Sequence, residues 1–242
     1  MPTKASDQTG ERTHLTSKIT WASTVLVLLS LTTGATDAIS YTRLGNVFAS
    51  VMTGNMVLLG VSAGRRETTL AAHAGVSFVA YIAGAALGAR LCGEQPSMRR
   101  WQQRARIALT IELVLFAGLT IAWELASAHP RGNVQLIILP MAVVAMAVQA
   151  SLARSMPQEA PSTTYMTGTL IAGVASLMMG SPLKQQQRRI GAVVGLIIGA
   201  GLATALVEEA PRSSPLLVMA LLVSALAVST RHKSNPDPHT ES

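Results

Sequence analysis

Long apolar runs separated by short polar stretches occupy most of this chain. The runs with their approximate bounds are 19–40, 46–63, 70–92, 107–127, 134–153, 163–180, 190–207 and 214–229. A helix needs about 20 apolar residues to cross a hydrocarbon core of roughly 30 Å, and several of these runs approach that length. The pattern therefore predicts an all-α integral membrane protein.

Composition points the same way. Of the 242 residues, 49% are hydrophobic and 13% are charged, and the mean hydropathy is +0.39. Such a chain is too apolar for one ordinary soluble domain. The net charge of +7 comes from Lys and Arg residues between the apolar runs, where it orients a protein in a membrane. We expect the lipid bilayer as a partner, and no nucleic acid.

The tripeptide Met-Thr-Gly interrupts two of the apolar runs. It occurs in Val51-Met52-Thr53-Gly54-Asn55 and again in Tyr165-Met166-Thr167-Gly168-Thr169. Paired interruptions in corresponding segments point to a solute site between the repeats of a transporter. The alternative is that the small residues only allow helices to pack closely.

The basic residues indicate which segments cross the membrane. If all eight crossed, the basic loop 99–106 would lie on the opposite side from a cytoplasmic N-terminus, against the positive-inside rule. If 46–63 and 163–180 return to the side they entered from, this loop and both termini lie in the cytoplasm, and Glu208 and Glu209 lie outside. The sequence thus predicts six to seven crossings, with six favoured by charge, and two broken or re-entrant helices.

The two halves of the chain, about 19–127 and 134–230, share a further pattern. Each has one strongly polar residue ahead of its Met-Thr-Gly, Asp37 in the first half and Gln149 in the second, at nearly the same spacing. Three crossings separate the halves in the six-crossing topology, so we predict an inverted repeat whose two turns approach each other near the membrane centre. We expect the tails 1–18 and 231–242 to be disordered.

Four longer stretches carry a family pattern. They are Gly34-Ala35-Thr36-Asp37-Ala38-Ile39-Ser40-Tyr41, Leu44-Gly45-Asn46-Val47-Phe48, Met52-Thr53-Gly54-Asn55-Met56-Val57-Leu58-Leu59-Gly60 and Thr163-Thr164-Tyr165-Met166-Thr167-Gly168-Thr169-Leu170. The pattern resembles the YoaK family of bacterial multi-pass membrane proteins, which has no established activity. The resemblance covers about 20–230 and implies a location in the bacterial inner (plasma) membrane.

The candidate substrate-binding residues follow from these breaks and from buried polarity. A carboxylate within a bilayer is costly and usually faces a cavity or a partner. Gly tolerates unusual backbone, and Thr and Asn offer hydrogen bonds where a helix begins. The predicted set is Asp37, Thr53, Gly54, Asn55, Gln149, Thr167, Gly168 and Thr169. Asp37 has an alternative role as the N-cap of a helix beginning near Ala38. For Glu112, we favour an ion pair with Arg104 or Arg106 at the cytoplasmic edge.

Other chemistry receives little support from the sequence. There is no His-Glu-x-x-His, Gly-x-Ser-x-Gly, phosphate-binding Gly-rich loop or Cys cluster, and Cys92 is the single cysteine. We therefore expect no enzyme activity, no metal and no cofactor, and we interpret His73 as a satisfied or interfacial residue. Trp101 and Trp123 are spaced as an interfacial pair, with ordinary packing as the alternative.

The functional hypothesis is a small-solute transporter or channel with a site between the two repeats. Its solute would be small and polar or anionic, with proton coupling through Asp37. The alternative is a non-transporting membrane scaffold or sensor that acts through partners. A homo-oligomer is compatible with either.

Overall fold

The computed structural model describes residues 5–93, 98–155, 166–179 and 183–231. Every regular element in these ranges is helical. The helices are α1 (Ala5–Arg43), α2 (Met52–Arg65), α3 (Thr68–Cys92), α4 (Met98–Leu125), α5 (Asn133–Arg154), α6 (Met166–Met178), α7 (Leu183–Glu209) and α8 (Ser214–Arg231), with a 3₁₀ turn over Pro211–Ser213.

Six of the described helices are long and apolar enough to cross a membrane. They are α1 from Ser23, α3, α4, α5, α7 and α8. The Met-Thr-Gly helices α2 and α6 have only 14 and 13 residues. This confirms the prediction of an all-α multi-pass protein in which these two segments are the short ones.

Helix α1 begins earlier than expected. Its first residue is Ala5, so a helix stands where the sequence predicted a disordered tail over 1–18. Lengthening an existing helix fixes one residue per added hydrogen bond, whereas starting one is costly, so a polar leader can continue the helix that follows it. The C-terminal tail lies outside the described residues beyond Arg231.

Contacts between α1 and α5 fix their relative direction. Gln149 Nε2 donates to the carbonyl oxygen of Leu29 at 3.1 Å, and Gln135 Nε2 donates to that of Arg43 at 2.8 Å. A later residue of α1 therefore meets an earlier residue of α5. The two helices run antiparallel.

Close glycine contacts fix two parallel pairs. In α3, Gly84 lies against Val144 and Gly88 against Ser151, so α3 and α5 run in the same direction. In α7, Gly195 lies against Val27 and Gly199 against Leu31, so α7 and α1 also run in the same direction. Since α1 and α3 are antiparallel, α2 between them does not cross. Since α5 and α7 are antiparallel, the segment containing α6 does not cross either.

The packing partners are exchanged between the two halves. Helix α1 packs against α7 and α8, and its counterpart α5 packs against α3 and α4. The first helix of each half thus lies against the last two helices of the other half. Because α1 and α5 are antiparallel, the halves are related as an inverted repeat.

Glycines allow the backbones of α1 and α7 to approach closely. A Cβ at Gly199 would lie 2.1 Å from the carbonyl oxygen of Leu31, and one at Gly34 would lie 2.0 Å from that of Leu196. Gly191 and Gly195 also contact α1, at Val27. The near four-residue spacing of Gly191, Gly195, Gly199 and Gly201 in the sequence predicts packing residues, and these contacts confirm that role for Gly191, Gly195 and Gly199. It is wrong for Gly201, which faces open space, because its position lies off the contact stripe.

Both tryptophans of α4 are buried within the bundle. The Nε1 atom of Trp101 donates to the carbonyl oxygen of Leu152 at 3.2 Å, and that of Trp123 donates to Pro211 at 3.0 Å. The expectation of an interfacial pair is therefore wrong. Each ring satisfies its N–H on a neighbouring helix end and packs as a core residue.

Candidate functional site

The connection from α1 to α2 turns back into the bundle. Gly45 and Asn46 have positive φ values of 95° and 58°, which reverse the chain just after α1 ends. The residues that follow are buried, with Val47 and Ala49 at 0% exposure. Backbone of this kind survives at membrane depth where protein satisfies its polar groups.

Asp37 holds the deep end of this connection. Its carboxylate accepts hydrogen bonds from the backbone N–H of Ser50 at 2.8 Å and from the Ser50 hydroxyl at 2.5 Å. Asp37 lies six residues, or about 9 Å, before the end of α1. Helix α2 begins just after Ser50 and leads the chain back toward the end of the bundle at which α1 ends. The alternative of Asp37 as an N-cap is wrong, because α1 continues unbroken to Arg43.

Asn55 fixes the same connection from the other side. Its Nδ2 donates to the carbonyl oxygen of Phe48 at 2.6 Å, and its Oδ1 accepts the Phe48 N–H at 2.9 Å. The Phe48 ring stacks on Tyr41 with centroids 5.2 Å apart, and Gly54 lies against it. Thr53 is exposed. Of this predicted cluster, Asp37 and Asn55 are thus brought onto one buried loop, with Thr53 pointing away from it.

The second Met-Thr-Gly lies only partly in the described residues. Helix α6 begins at Met166, and Gly168 is exposed with open space where a Cβ would be. The side chains of Thr167 and Thr169 lie outside the described part. Arg189 at the start of α7 donates to the Ala172 carbonyl oxygen at 3.2 Å and so joins α6 to α7.

The two Met-Thr-Gly helices pack against different neighbours. Among the described helices, α2 packs against α3 and α6 packs against α7. A connection of only two residues between α2 and α3 keeps α2 beside the helix that follows it. The residues ahead of Met166 lie outside the described part, so the expectation that the two turns approach each other near the membrane centre stays a prediction.

Gln149 joins the two halves instead. Its Nε2 donates to Thr33 Oγ1 at 2.8 Å as well as to Leu29, while its Oε1 has no hydrogen-bond partner among the described residues. Thr33 in turn donates to the Leu29 carbonyl oxygen at 2.9 Å. Polar side chains therefore line the α1–α5 contact, where the repeats cross. Four more polar residues are buried on α1: Ser30, Thr32, Thr36 and Ser40.

Glu112 departs from the prediction most clearly. It is 0% exposed, and neither carboxylate oxygen has a hydrogen-bond partner among the described residues. Arg104 donates to the carbonyl oxygen of Cys92 instead. The predicted ion pair is wrong because Arg104 lies eight residues away, about 12 Å along the helix, and Arg106 lies on another face.

Comparisons with known proteins agree with this architecture. Residues 25–229 match the family model described as a protein of unknown function (DUF1275). The chain belongs to the DUF1275 family. It is 29% identical over 153 residues to the UPF0700 transmembrane protein YoaK of Bacillus subtilis (strain 168). That match covers 62% of this chain and 64% of the relative, so the chain spans somewhat less than two thirds of that relative's length. No solved structure matches.

Family membership confirms the resemblance to YoaK and the membrane location of this DUF1275 chain. Sequence reasoning missed Ser50, because nothing in the run around Ala49 marks a serine as the partner of a carboxylate thirteen residues earlier. It also missed the burial of Glu112. A signal existed there, since Ala105, Ala108, Phe116 and Leu119 share its face of α4 at helical spacing, and all are buried.

Proposed function

We propose that this DUF1275 protein moves a small polar or anionic solute across the membrane, as a transporter or channel with its path between the two repeats. The supporting observation is an inverted repeat in which each half carries one short helix that does not cross. Transporters of several folds place their solute site at such a repeat interface, next to discontinuous helices. In this proposal the chain carries out no covalent reaction and uses no cofactor.

The path would follow the contact between α1 and α5. Gln149 supports this placement because its Oε1 is buried and unsatisfied among the described residues, which costs free energy unless a solute or water binds there. Thr33 and Thr36 lie on the facing helix, also buried. We expect Gln149 to contact the solute directly.

Asp37 would couple the solute to the position of α2. Two hydrogen bonds from Ser50 to its carboxylate hold the deep end of the α1–α2 connection. Charge-assisted bonds of this kind weaken when the carboxylate takes up a proton. A proton or a cation at Asp37 would therefore release the connection and allow α2 to move. Glu112 is a second buried carboxyl for proton transfer, with no partner among the described residues that would compete for it.

The distribution of charged residues between the two ends of the bundle supports one orientation of the protein in the bacterial inner membrane. Arg100, Arg104 and Arg154 lie at the end of the bundle where α3 and α5 end and α4 begins. The opposite end carries Glu124 and Glu208, each within 4.0 Å of an arginine. By the positive-inside rule, the first of these ends faces the cytoplasm, together with both termini.

Reconstitution tests this proposal. Liposomes containing the purified chain and an internal pH-sensitive dye are given inorganic phosphate, acetate or a neutral amino acid, and solute uptake and internal pH are followed. We expect at least one solute to enter faster than into empty liposomes. Gln149→Leu and Asp37→Asn should each slow that uptake by about tenfold or more, because the first removes the amide that binds the solute and the second removes the charge that takes up the proton. Ser224→Ala, at an exposed serine of α8, is the matched control.

The scaffold alternative makes the opposite prediction. In that case no solute enters above the empty-liposome rate, and the variants behave as the parent chain does. Uptake that is unaffected by Gln149→Leu would exclude the α1–α5 path.

A further inference from the structure

A polar cavity of about 460 Å³ lies at the end of the bundle where α1 ends and where α3 and α5 begin. It lies at the Gln135–Arg43 end of the α1–α5 contact, fourteen residues or about 21 Å along α5 from Gln149. Its volume is in the range of about 300–1,000 Å³ found for small-molecule sites. Its lining includes Arg43, Gly45, Arg66, Glu67, His73 and Gln135.

His73 is one of the residues that line this cavity, and it is only 2% exposed. Its Nδ1 lies 2.7 Å from the carbonyl oxygen of Thr69, an atom that can only accept, so Nδ1 carries the proton. Its Nε2 has no hydrogen-bond partner among the described residues. A buried ring nitrogen without a partner costs free energy unless a ligand or water binds it.

The loop after α1 holds this ring in place. A Cβ at Gly45 would lie 2.2 Å from His73 Cδ2, so the Gly45 backbone packs directly on the imidazole. Gly45 also has a φ of 95°, which favours glycine. The ring is therefore fixed from two sides, with Nε2 as its remaining polar atom.

Two guanidinium groups give the cavity a positive lining. Arg43 Nη2 donates to the Val207 carbonyl oxygen at 3.0 Å and lies 4.0 Å from the Glu208 carboxylate, so Nη1 and Nε are the donors that remain for a ligand. Arg66 is exposed at the end of α2. Glu67 also lines the cavity, but its carboxylate lies 3.8 Å from Arg65, which offsets its charge. Two arginines around a buried imidazole are suited to a planar or tetrahedral oxyanion.

We propose that this cavity binds one small oxyanionic group of the phosphate or carboxylate type. Arg43 and Arg66 bind its charged oxygens, and His73 Nε2 accepts a hydrogen bond from an O–H of the ligand. Gln135 is held by its bond to the Arg43 carbonyl oxygen and closes the site on the α5 side. The proposal goes beyond transport, since binding here requires no movement across the membrane.

Ligand-induced stabilisation of the full chain tests this site. Thermal unfolding is measured in a neutral detergent with increasing inorganic phosphate, and with chloride at equal ionic strength. A ligand that binds only the folded state raises the melting temperature by an amount that grows with the logarithm of its concentration relative to Kd. We expect phosphate to stabilise the parent chain more than chloride does.

Substitution of Arg66 distinguishes a site from general ionic effects. Arg66 has a left-handed φ of 59°, so Arg66→Asn removes the charge with a residue that tolerates this backbone. We expect its phosphate affinity to fall by about tenfold or more, as for loss of a charge-assisted hydrogen bond. Arg131→Asn, at an exposed arginine outside the cavity, should keep the parent affinity. His73→Gln should weaken binding as well.

Nanodiscs separate the two sources of the oxyanion. If free anions bind, phosphate stabilises the chain equally in phosphatidylcholine and phosphatidylglycerol discs. If a lipid headgroup binds, phosphatidylglycerol itself stabilises the parent chain but not Arg66→Asn, and added phosphate then has no effect. Either result supports the proposal. No phosphate effect and no lipid effect, or equal responses of Arg66→Asn and Arg131→Asn, would overturn it.

Discussion

The polar side chains of Asp37 and Asn55 hold the loop between α1 and α2 inside the helix bundle. Their side chains make four hydrogen bonds to Phe48 and Ser50, which satisfy backbone and side-chain groups that have no access to water. The sequence identified Asp37 as a carboxylate within an apolar run and Asn55 as a hydrogen-bonding residue of the first Met-Thr-Gly break. It gave no indication of their partners, because those depend on the path of the loop. Whether they also contact a solute stays a prediction.

The anchoring role of Asp37 predicts a local effect of Ser50→Ala. This change removes the hydroxyl bond to the carboxylate, and hydrogen bonds to charged groups contribute about 1.5–3 kcal/mol. We expect faster amide hydrogen exchange over 44–55 with little change in α5, measured by mass spectrometry. Ser224→Ala is the control, since its hydroxyl bonds only to its own helix at Ala220. Unchanged exchange in the loop would show that Asp37 does not hold it.

At the scale of helices, glycine positions determine which elements pack together. The spacing of Gly191, Gly195 and Gly199 was sufficient to predict a packing face on α7. It did not identify α1 as the partner, because a small-residue stripe fits any helix that can approach it. The short length of α2 and α6 followed from charge and from Met-Thr-Gly. The packing of α2 on α3 and of α6 on α7 could not be predicted, because charge and hydropathy do not determine which helices become neighbours.

Two glycines two residues apart on α7 provide a direct test of this packing. Gly199→Ala places a methyl group against the Leu31 carbonyl oxygen, and overpacking of this kind costs about 1–3 kcal/mol. Gly201→Ala faces open space and should be neutral or stabilising by up to about 1 kcal/mol, from helix propensity. Thermal unfolding in detergent measures both. Equal stability of the two variants would contradict the observed α1–α7 contact.

At the scale of the whole molecule, two halves of opposite direction interlock through exchanged partners. The inverted relationship was predictable, because an odd number of crossings separates the halves and basic residues mark one side. The exchange of partners was not, since charge and hydropathy determine how often a chain crosses but not which helices become neighbours. Both features depend on one claim, that α2 and α6 return to the side they entered from.

Thiol labelling just after α2 and in the second turn of α7 tests that claim most directly. Arg66→Cys and Gln187→Cys are made separately on a Cys92→Ala background, and spheroplasts are treated with a membrane-impermeant maleimide before and after permeabilisation. Both positions are exposed. We expect Arg66→Cys to react from outside and Gln187→Cys only after permeabilisation, because α2 returns the chain to the outer side, where α1 ends, and α6 returns it to the cytoplasmic side, where α5 ends. Labelling of both positions from the same side would instead indicate eight full crossings and contradict the inverted repeat.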